Sequence, residues 1–426
     1  MRDVAPDPAP RGRVTVTQGA ALYVGAVLGT GVIALPSLAA RTAGPASLIA
    51  WVGMVVLSVP LAGTFAALAA RHPDAGGVAT YVGRAFGPDA YAMTGWLFYL
   101  ALPLGVPGAA LFAGAYVEEV LGGGRTTVLL ASAALFVAVA GTNAFGLRVS
   151  GRVQLWLMAV LAVALVAVLV LAAPHASAAH LTPFAPHGWW AVVVAGSLLL
   201  WAFAGWEAVT HLAGEFHDPA VDIRRATVVA VVVVGVLYLG TATTVVLVLG
   251  AGAGSSEAPL SRLLAVAVDG VAPPAAAAVA VVLTCGMMNA YLAGGAKLGA
   301  ALGRDGALPR ALAVGSRSGE IPRRSLAVLT VGGLVCFAGL AVTGAGVERI
   351  VHLGAACLAT IYSAGTLAAI RLLPRRSAGR RMAFLALGLV VVLLLATGWH
   401  LLFPVSVSLA ALAYRRLRLR GTSPRP

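Results

Sequence analysis

Two of this chain's long apolar stretches are broken near their middles, and nothing else in the sequence constrains its fold as much. The first reads GAVLGTGVIALP (25–36) inside an apolar run of 15–40; the second reads WAFAGWEAVTHLAGEF (201–216) inside a run of 189–214. A membrane helix satisfies its own backbone polar groups, so clustered glycines and a carboxylate at mid-membrane depth are costly. Unwound backbone survives there only where it is buried in protein or lines a cavity. Two such breaks, at corresponding places in two halves of a chain, mark secondary transporters that hold a substrate between the broken helices.

Composition puts these runs in a membrane. Of 426 residues, 60% are hydrophobic and 10% charged, against roughly 25% charged in an average soluble domain. A span needs about 20 apolar residues. The sequence divides into twelve: 15–40, 45–70, 88–121, 125–143, 149–173, 189–214, 226–251, 271–302, 324–343, 347–373, 382–398 and 399–414. The expected fold class is therefore an all-α integral membrane protein with 12 transmembrane helices. The last two spans are short and share a tight turn near Gly398-Trp399.

The net charge of +14 suggests nucleic acid until its distribution is read. With the N-terminus inside, the loops holding Arg71 and Arg84, Arg148 and Arg152, Arg224 and Arg225, Arg304 to Arg324 and Arg371 to Arg381 all face the cytoplasm, as does the tail Arg415 to Arg425. The opposite face keeps Arg41, Arg125, Arg262 and Arg349. This is the positive-inside pattern, with both termini cytoplasmic at a bacterial plasma membrane. No nucleic-acid partner is expected, and the basic segment YRRLRLR suits anionic lipid headgroups. Cys285, Cys336 and Cys357 fall inside spans at spacings that fit neither a metal site nor a disulfide framework. No cofactor is expected. GAVLGTG follows no strand, which removes the dinucleotide and phosphate-loop readings, and no catalytic constellation is present, so the chain is not read as an enzyme.

Each broken span opens a block of five, at 14–173 and 174–373. Because five is odd, the second block is inverted relative to the first. Residues 1–13 read as a polar, proline-rich cytoplasmic tail, 374–414 as two added spans and 415–426 as a basic cytoplasmic tail. Arg71 to Pro88 contains a turn and an amphipathic helix. Asp218-Pro219 is a turn signal in the loop before span seven.

In the first break, Gly29-Thr30-Gly31 interrupts the helix and Val32 resumes it. The resumed half-helix presents free N–H groups and a positive dipole end, suited to an amino acid's carboxylate. The N–H groups of Thr30 and Gly31, with the Thr30 hydroxyl, are the candidates. The competing reading of these glycines is close helix packing. In the second break, Phe203-Ala204-Gly205 leaves carbonyls suited to an ammonium group. Glu207 is the acidic residue placed deep within a span; it either carries a proton through a shifted pKa or hydrogen-bonds to the first break as a neutral acid. His211 and His352 are further titratable candidates, each also readable as polar packing.

The segments GAVLGTGVIALP, HPDAGGVATYVGRAFG (72–87), FAGWEAVTHLAGEFHDP (203–219) and GRDGALP (303–309) together resemble the amino acid–polyamine–organocation (APC) superfamily. Within it, GGVATYVGRAFG, TGWLF with LPLGVPGAAL, and TGWHLLF are most similar to bacterial exporters of L-methionine and branched-chain amino acids. The resemblance implies a LeuT-like 5+5 inverted repeat plus two C-terminal helices. It assigns ammonium binding to the carbonyls of Val27, Trp201 and Ala204, makes Trp201 a gate over the substrate, and couples gating to protonation at Glu207. It turns Phe98, Tyr99 and Pro103 of span three toward the substrate side chain, and span eight adds Asn289 and Tyr291. In some relatives the last two spans form a homodimer interface. One departure is plain. Where many proton-coupled relatives carry a span-five lysine, this chain has Leu161, and its sole lysine, Lys297, lies in span eight. No arginine, lysine or aspartate faces the implied pocket, which favours methionine, leucine, isoleucine or valine over charged substrates. The implied function is secondary transport of these amino acids, with export by proton antiport as the leading reading. The alternatives are proton-coupled uptake or exchange, or a membrane sensor of the same fold that binds without transporting.

Overall fold

The computed structural model describes residues 15–72, 77–146, 151–207, 216, 218–268, 272–316 and 320–421, excluding the side chains of 151–155, 157, 158, 219, 220, 272 and 419–421. His211, Arg148 and the tail 1–13 lie outside the described residues. Among those described, the secondary structure is helical apart from turns and one isolated bridge residue. In chain order the helices are α1 (Val16–Val27), α2 (Gly31–Ala43), α3 (Ser47–Arg71), α4 (Gly77–Phe86), α5 (Pro88–Leu121), α6 (Gly124–Ala144), α7 (Gly151–Ala172), α8 (Trp190–Leu199), α9 (Pro219–Leu249), α10 (Pro259–Ala267), α11 (Ala272–Arg304), α12 (Arg323–Thr343), α13 (Val347–Leu372), α14 (Ala378–Ala396) and α15 (Leu402–Gly421). The architecture is the LeuT-like one: α1–α2 and α8 with its continuation are the two broken spans, each followed by four more, and α14 and α15 complete the twelve. Eight described segments are long and apolar enough to cross a membrane, with α2 and α3 running together as one of them.

Local chemistry explains the element ends. Thr15 and Gln18 form a reciprocal capping box at the start of α1, which satisfies two N–H groups that no helix turn can reach. Pro88 opens α5 at a position where its missing N–H costs nothing. The added spans meet at a short 3-10 turn, Gly398–Leu401, with Gly398 at φ 57°, where the sequence placed its tight turn. The amphipathic helix expected after Arg71 is α4.

Burial sorts the helices. In α5 and α13, 61% of the apolar segment is covered by protein, against 17% in α14, so the first two run through the centre and the third along the rim. Rim helices show bare aliphatic side chains such as Val163, Val170 and Leu385, the surface a bilayer requires. The face where α1 begins is called here the near face, and its opposite the far face.

The second break opens after Leu199, beside its expected start at Trp201. Two expectations need correction. α9 begins at Pro219 rather than 226, because Asp218 and Asp222 cap it: the Asp218 N–H donates to Asp222 Oδ2 at 3.0 Å, and the Asp222 N–H to the Asp218 carbonyl at 2.8 Å. Residues 415–421, read as tail, instead extend α15. Arg415 pairs with Asp89 at 2.9 Å, and Arg418 donates to the Gly306 carbonyl at 2.8 Å. The GRDGALP loop is thereby clamped at the near face, where Tyr91 also donates to Asp305 and the Trp96 ring N–H to the Ala307 carbonyl.

Candidate functional site

The two breaks lie against each other in the middle of the bundle. α1 stops at Val27, and the Leu28 N–H closes it on the Val24 carbonyl at 2.7 Å. Residues 28–30 are unwound, and α2 starts at Gly31. Thr30 is the cap residue of α2, yet its side chain makes no cap bond; its hydroxyl donates instead to the Met287 sulfur, 3.6 Å away on α11. The N–H groups at the very start of α2 have no carbonyl a full helical turn before them, and that of Ile33 turns back to the Thr30 carbonyl at 3.3 Å. Gly31 has no room for a side chain: a β-carbon there would lie 2.7 Å from the Ala202 backbone.

The second break, 201–207, is a run of loose turns. Gly205 adopts φ 117°, and its N–H donates to Glu207 Oε2 at 3.0 Å. The Tyr362 hydroxyl donates to the same carboxylate oxygen at 2.6 Å, which ties the break to α13. On the other side, the Tyr238 hydroxyl from α9 lies 2.9 Å from the Val27 carbonyl and 2.7 Å from that of Ala202, bridging both breaks. Tyr23 donates to the Trp206 carbonyl at 2.7 Å. Glu207 is buried, as are all three tyrosines.

This arrangement changes the expected ammonium site. The carbonyl of Val27 shares the single Tyr238 O–H with the nearer carbonyl of Ala202, and that of Trp201 accepts from the Ala204 N–H at 3.3 Å. A buried carbonyl without a donor is expensive, so the fold supplies one. The second lone pair of each oxygen is what a ligand would use.

A cavity of about 690 Å³, its open mouth included, lies between the breaks. Of the candidate residues, Val27, Gly29, Thr30, Gly31, Phe98, Trp201, Ala204, Glu207 and Tyr291 line it. Ala101, Leu102, Gly105 and Val106 of α5, Met287 of α11, and Gly354, Leu358 and Ile361 of α13 complete most of its wall. Glu207 is the one carboxyl among the described lining residues. Trp201 roofs the cavity on the far side. Its ring lies against Gly354, and a β-carbon at Gly108 would sit 3.2 Å from it, so glycines of α5 and α13 make its slot.

Other candidates point elsewhere. Tyr99 is buried against α12, where its hydroxyl meets the Ser325 carbonyl at 3.1 Å and hydroxyl at 3.0 Å; it does not line the cavity. The reason is helical phase, since Phe98 and Tyr99 are about 100° apart around α5. Phe203 packs its ring on Tyr238 and Trp51 at 4.9 and 6.0 Å. Gly205 shapes the break without lining the cavity. Pro103 faces Gly332 of α12, and Asn289 accepts from Asn143 of α6 at 2.8 Å. Leu161 is buried in α7 and Lys297 is exposed. His352 stacks on His400 of the 398–401 turn at 4.7 Å, away from the cavity lining. Met287, Tyr238 and Tyr362 were not among the sequence candidates. The legible signal was a single phenol inside an aliphatic run, VVVVGVLYLG and CLATIYSAGT, because a buried hydroxyl needs a partner.

The far face above Trp201 is closed by polar contacts. Arg41 of α2 pairs with Glu348 of α13, and Ser37 donates to the Ala253 carbonyl. Glu119 accepts from Ser256 at 2.9 Å and Ser261 at 3.0 Å. Between them lies Glu257. Burial pushes its carboxyl above the usual range, Arg41 opposes this, and Glu348 adds to it. A carboxyl whose pKa rises on folding costs nothing below its unfolded pKa, and stability falls as pH rises toward and through the folded value. Glu257→Gln should therefore raise the melting temperature at neutral pH and leave it unchanged near pH 4, about the unfolded value. Equal shifts at both pH values, measured by thermal unfolding in detergent, would show that ionisation is not the cause.

A family profile described as "Amino acid permease" matches residues 15–412. The chain is 32% identical over 409 residues to the uncharacterized amino acid permease YecA of Bacillus subtilis, covering 96% of each chain. It is 37% identical to the L-methionine/branched-chain amino acid exporter YjeH of Escherichia coli over 228 residues, 53% of this chain and 54% of the exporter. Among solved structures, MhsT in complex with L-phenylalanine superposes with a TM-score of 0.63 at 15% identity, covering 92% of this chain and 100% of that one. At that identity the likeness concerns the fold.

Proposed function

The chain belongs to the amino acid permease family of the APC superfamily, a family of transporters rather than enzymes, and from that membership we propose that it carries neutral apolar amino acids by alternating access. The observation that carries this reading is the chemistry of the central cavity. One end offers the N–H groups of Thr30 and Gly31, where α2 starts, with the Thr30 hydroxyl, which suit a carboxylate. Carbonyl lone pairs at Val27, Trp201 and Ala204 suit the ammonium. Beside the Tyr291 phenol and the Glu207 carboxyl that Gly205 and Tyr362 already engage, the rest of the wall is mostly apolar, with Phe98, Ala101, Leu102, Val106, Met287, Leu358 and Ile361, a surface that favours an uncharged side chain. Methionine, leucine, isoleucine and valine fit that wall.

The near face carries Arg71, Arg84, Arg224, Arg225, Arg304, Arg323, Arg324 and Arg371, which supports a cytoplasmic near face and cytoplasmic termini in a bacterial inner membrane. Trp201 acts as the far-side gate and Glu207 as the proton carrier, with export by proton antiport as the working direction. Uptake or exchange uses the same parts under different gradients. Similarity to a named exporter over half its length favours the first.

Counterflow in proteoliposomes tests this. Labelled leucine should accumulate when methionine, leucine, isoleucine or valine is preloaded and not with lysine or glutamate, and a pH gradient should alter the level. Trp201→Ala should slow counterflow roughly tenfold or more, the usual scale for truncating an aromatic anchor. Leucine binding without counterflow under any preload would establish a sensor instead of a carrier.

A further inference from the structure

The Thr30 hydroxyl, at the point where a ligand's carboxylate would dock, is occupied by the protein itself. Its acceptor is the Met287 thioether at 3.6 Å, and sulfur is a weak acceptor. The same sulfur lies flat on the unwound backbone: a β-carbon on Gly29 would stand 2.6 Å from it. Of the two consecutive methionines, Met288 is fully buried in the core while Met287 lines the cavity. Methionine is unbranched with three rotatable bonds, so Met287 can leave this contact by side-chain rotation alone.

We propose that Met287 is a specificity-determining residue that competes with a ligand's carboxylate for the Thr30 hydroxyl, as a stand-in acceptor, and limits the size of the substrate side chain. The inference rests on the amino-acid carrier reading above. A carboxylate is a far stronger acceptor than a thioether, so an arriving amino acid takes the Thr30 hydroxyl and displaces the sulfur. The displaced thioether then packs on the substrate's side chain. A flexible aliphatic or thioether substrate accommodates it, whereas a rigid aromatic ring competes with it for the same volume.

The test is equilibrium binding to purified wild-type, Met287→Ala, Met287→Val and Met287→Leu proteins, with labelled leucine displaced by unlabelled methionine, leucine, valine, phenylalanine or tryptophan. Met287→Ala and Met287→Val should shift the phenylalanine-to-leucine Kd ratio toward phenylalanine by roughly tenfold or more, the scale of side-chain discrimination in an apolar pocket. Met287→Leu, which conserves volume, should keep the wild-type order. An unchanged ratio in the two smaller variants overturns the proposal. So does loss of all binding in a well-folded Met287→Ala protein, because a stand-in is not needed for affinity. Absence of amino-acid binding in the wild type instead overturns the carrier reading on which the proposal rests.

Discussion

Gly205→Ala is expected to abolish counterflow while the protein still reaches the membrane. Gly205 sits at φ 117°, where an L side chain is strained by about 1–3 kcal/mol. The added methyl would also lie 2.7 Å from the Ala26 carbonyl oxygen, 2.8 Å from its carbon and 3.1 Å from the Val27 nitrogen. All three are backbone atoms at the end of α1 and cannot rotate away. The two breaks must therefore separate, taking with them the Tyr238 bridge from Val27 to Ala202 and the Glu207 contact to the Gly205 N–H. Gly388→Ala on the rim helix α14, where a β-carbon meets nothing within 4 Å, should transport like wild type and serves as the matched control. Near-normal flux in Gly205→Ala would mean that the close contact of the breaks is not required for transport.

Glu207→Gln should uncouple flux from the pH gradient while leucine exchange persists. The carboxylate accepts from the Gly205 N–H and the Tyr362 hydroxyl through one oxygen, so it is both a bracket for the break and the carboxyl group in the cavity wall. Glutamine keeps an amide oxygen for the bracket and cannot exchange a proton. Glu207→Ala is the wrong experiment, since it strips an acceptor from two buried donors at about 1–3 kcal/mol each and loses activity through architecture alone. The decisive measurement is counterflow with and without an imposed pH gradient. A full gradient response in Glu207→Gln would move proton coupling to another group and leave Glu207 a structural residue.

The expected pocket and the observed cavity overlap through their glycines and aromatics. Gly29, Gly31, Trp201 and Glu207 stood out because each breaks a rule for a membrane helix, by removing side chains or adding a charge. Tyr99 could not be told from Phe98 in this way. Adjacent residues on a helix point about 100° apart, and the phase of α5 is set by α12, from which Ser325 meets the Tyr99 hydroxyl. Met287 was hidden for the opposite reason: a methionine beside another methionine in an apolar run is what any core helix shows.

The apolar runs, the placement of the arginines and the two breaks made the all-helical membrane fold and its two broken spans legible in the sequence, because those properties follow from the cost of exposing backbone and charge to hydrocarbon. Which carbonyls remain open to a ligand depended on tertiary structure. Tyr238 and Tyr362 lie in helices far along the chain from the groups they contact, and only packing brings a hydroxyl within 3 Å of Val27, Ala202 and Glu207. The same packing decided that Thr30 meets a sulfur atom, a contact between residues 257 positions apart that no local pattern encodes.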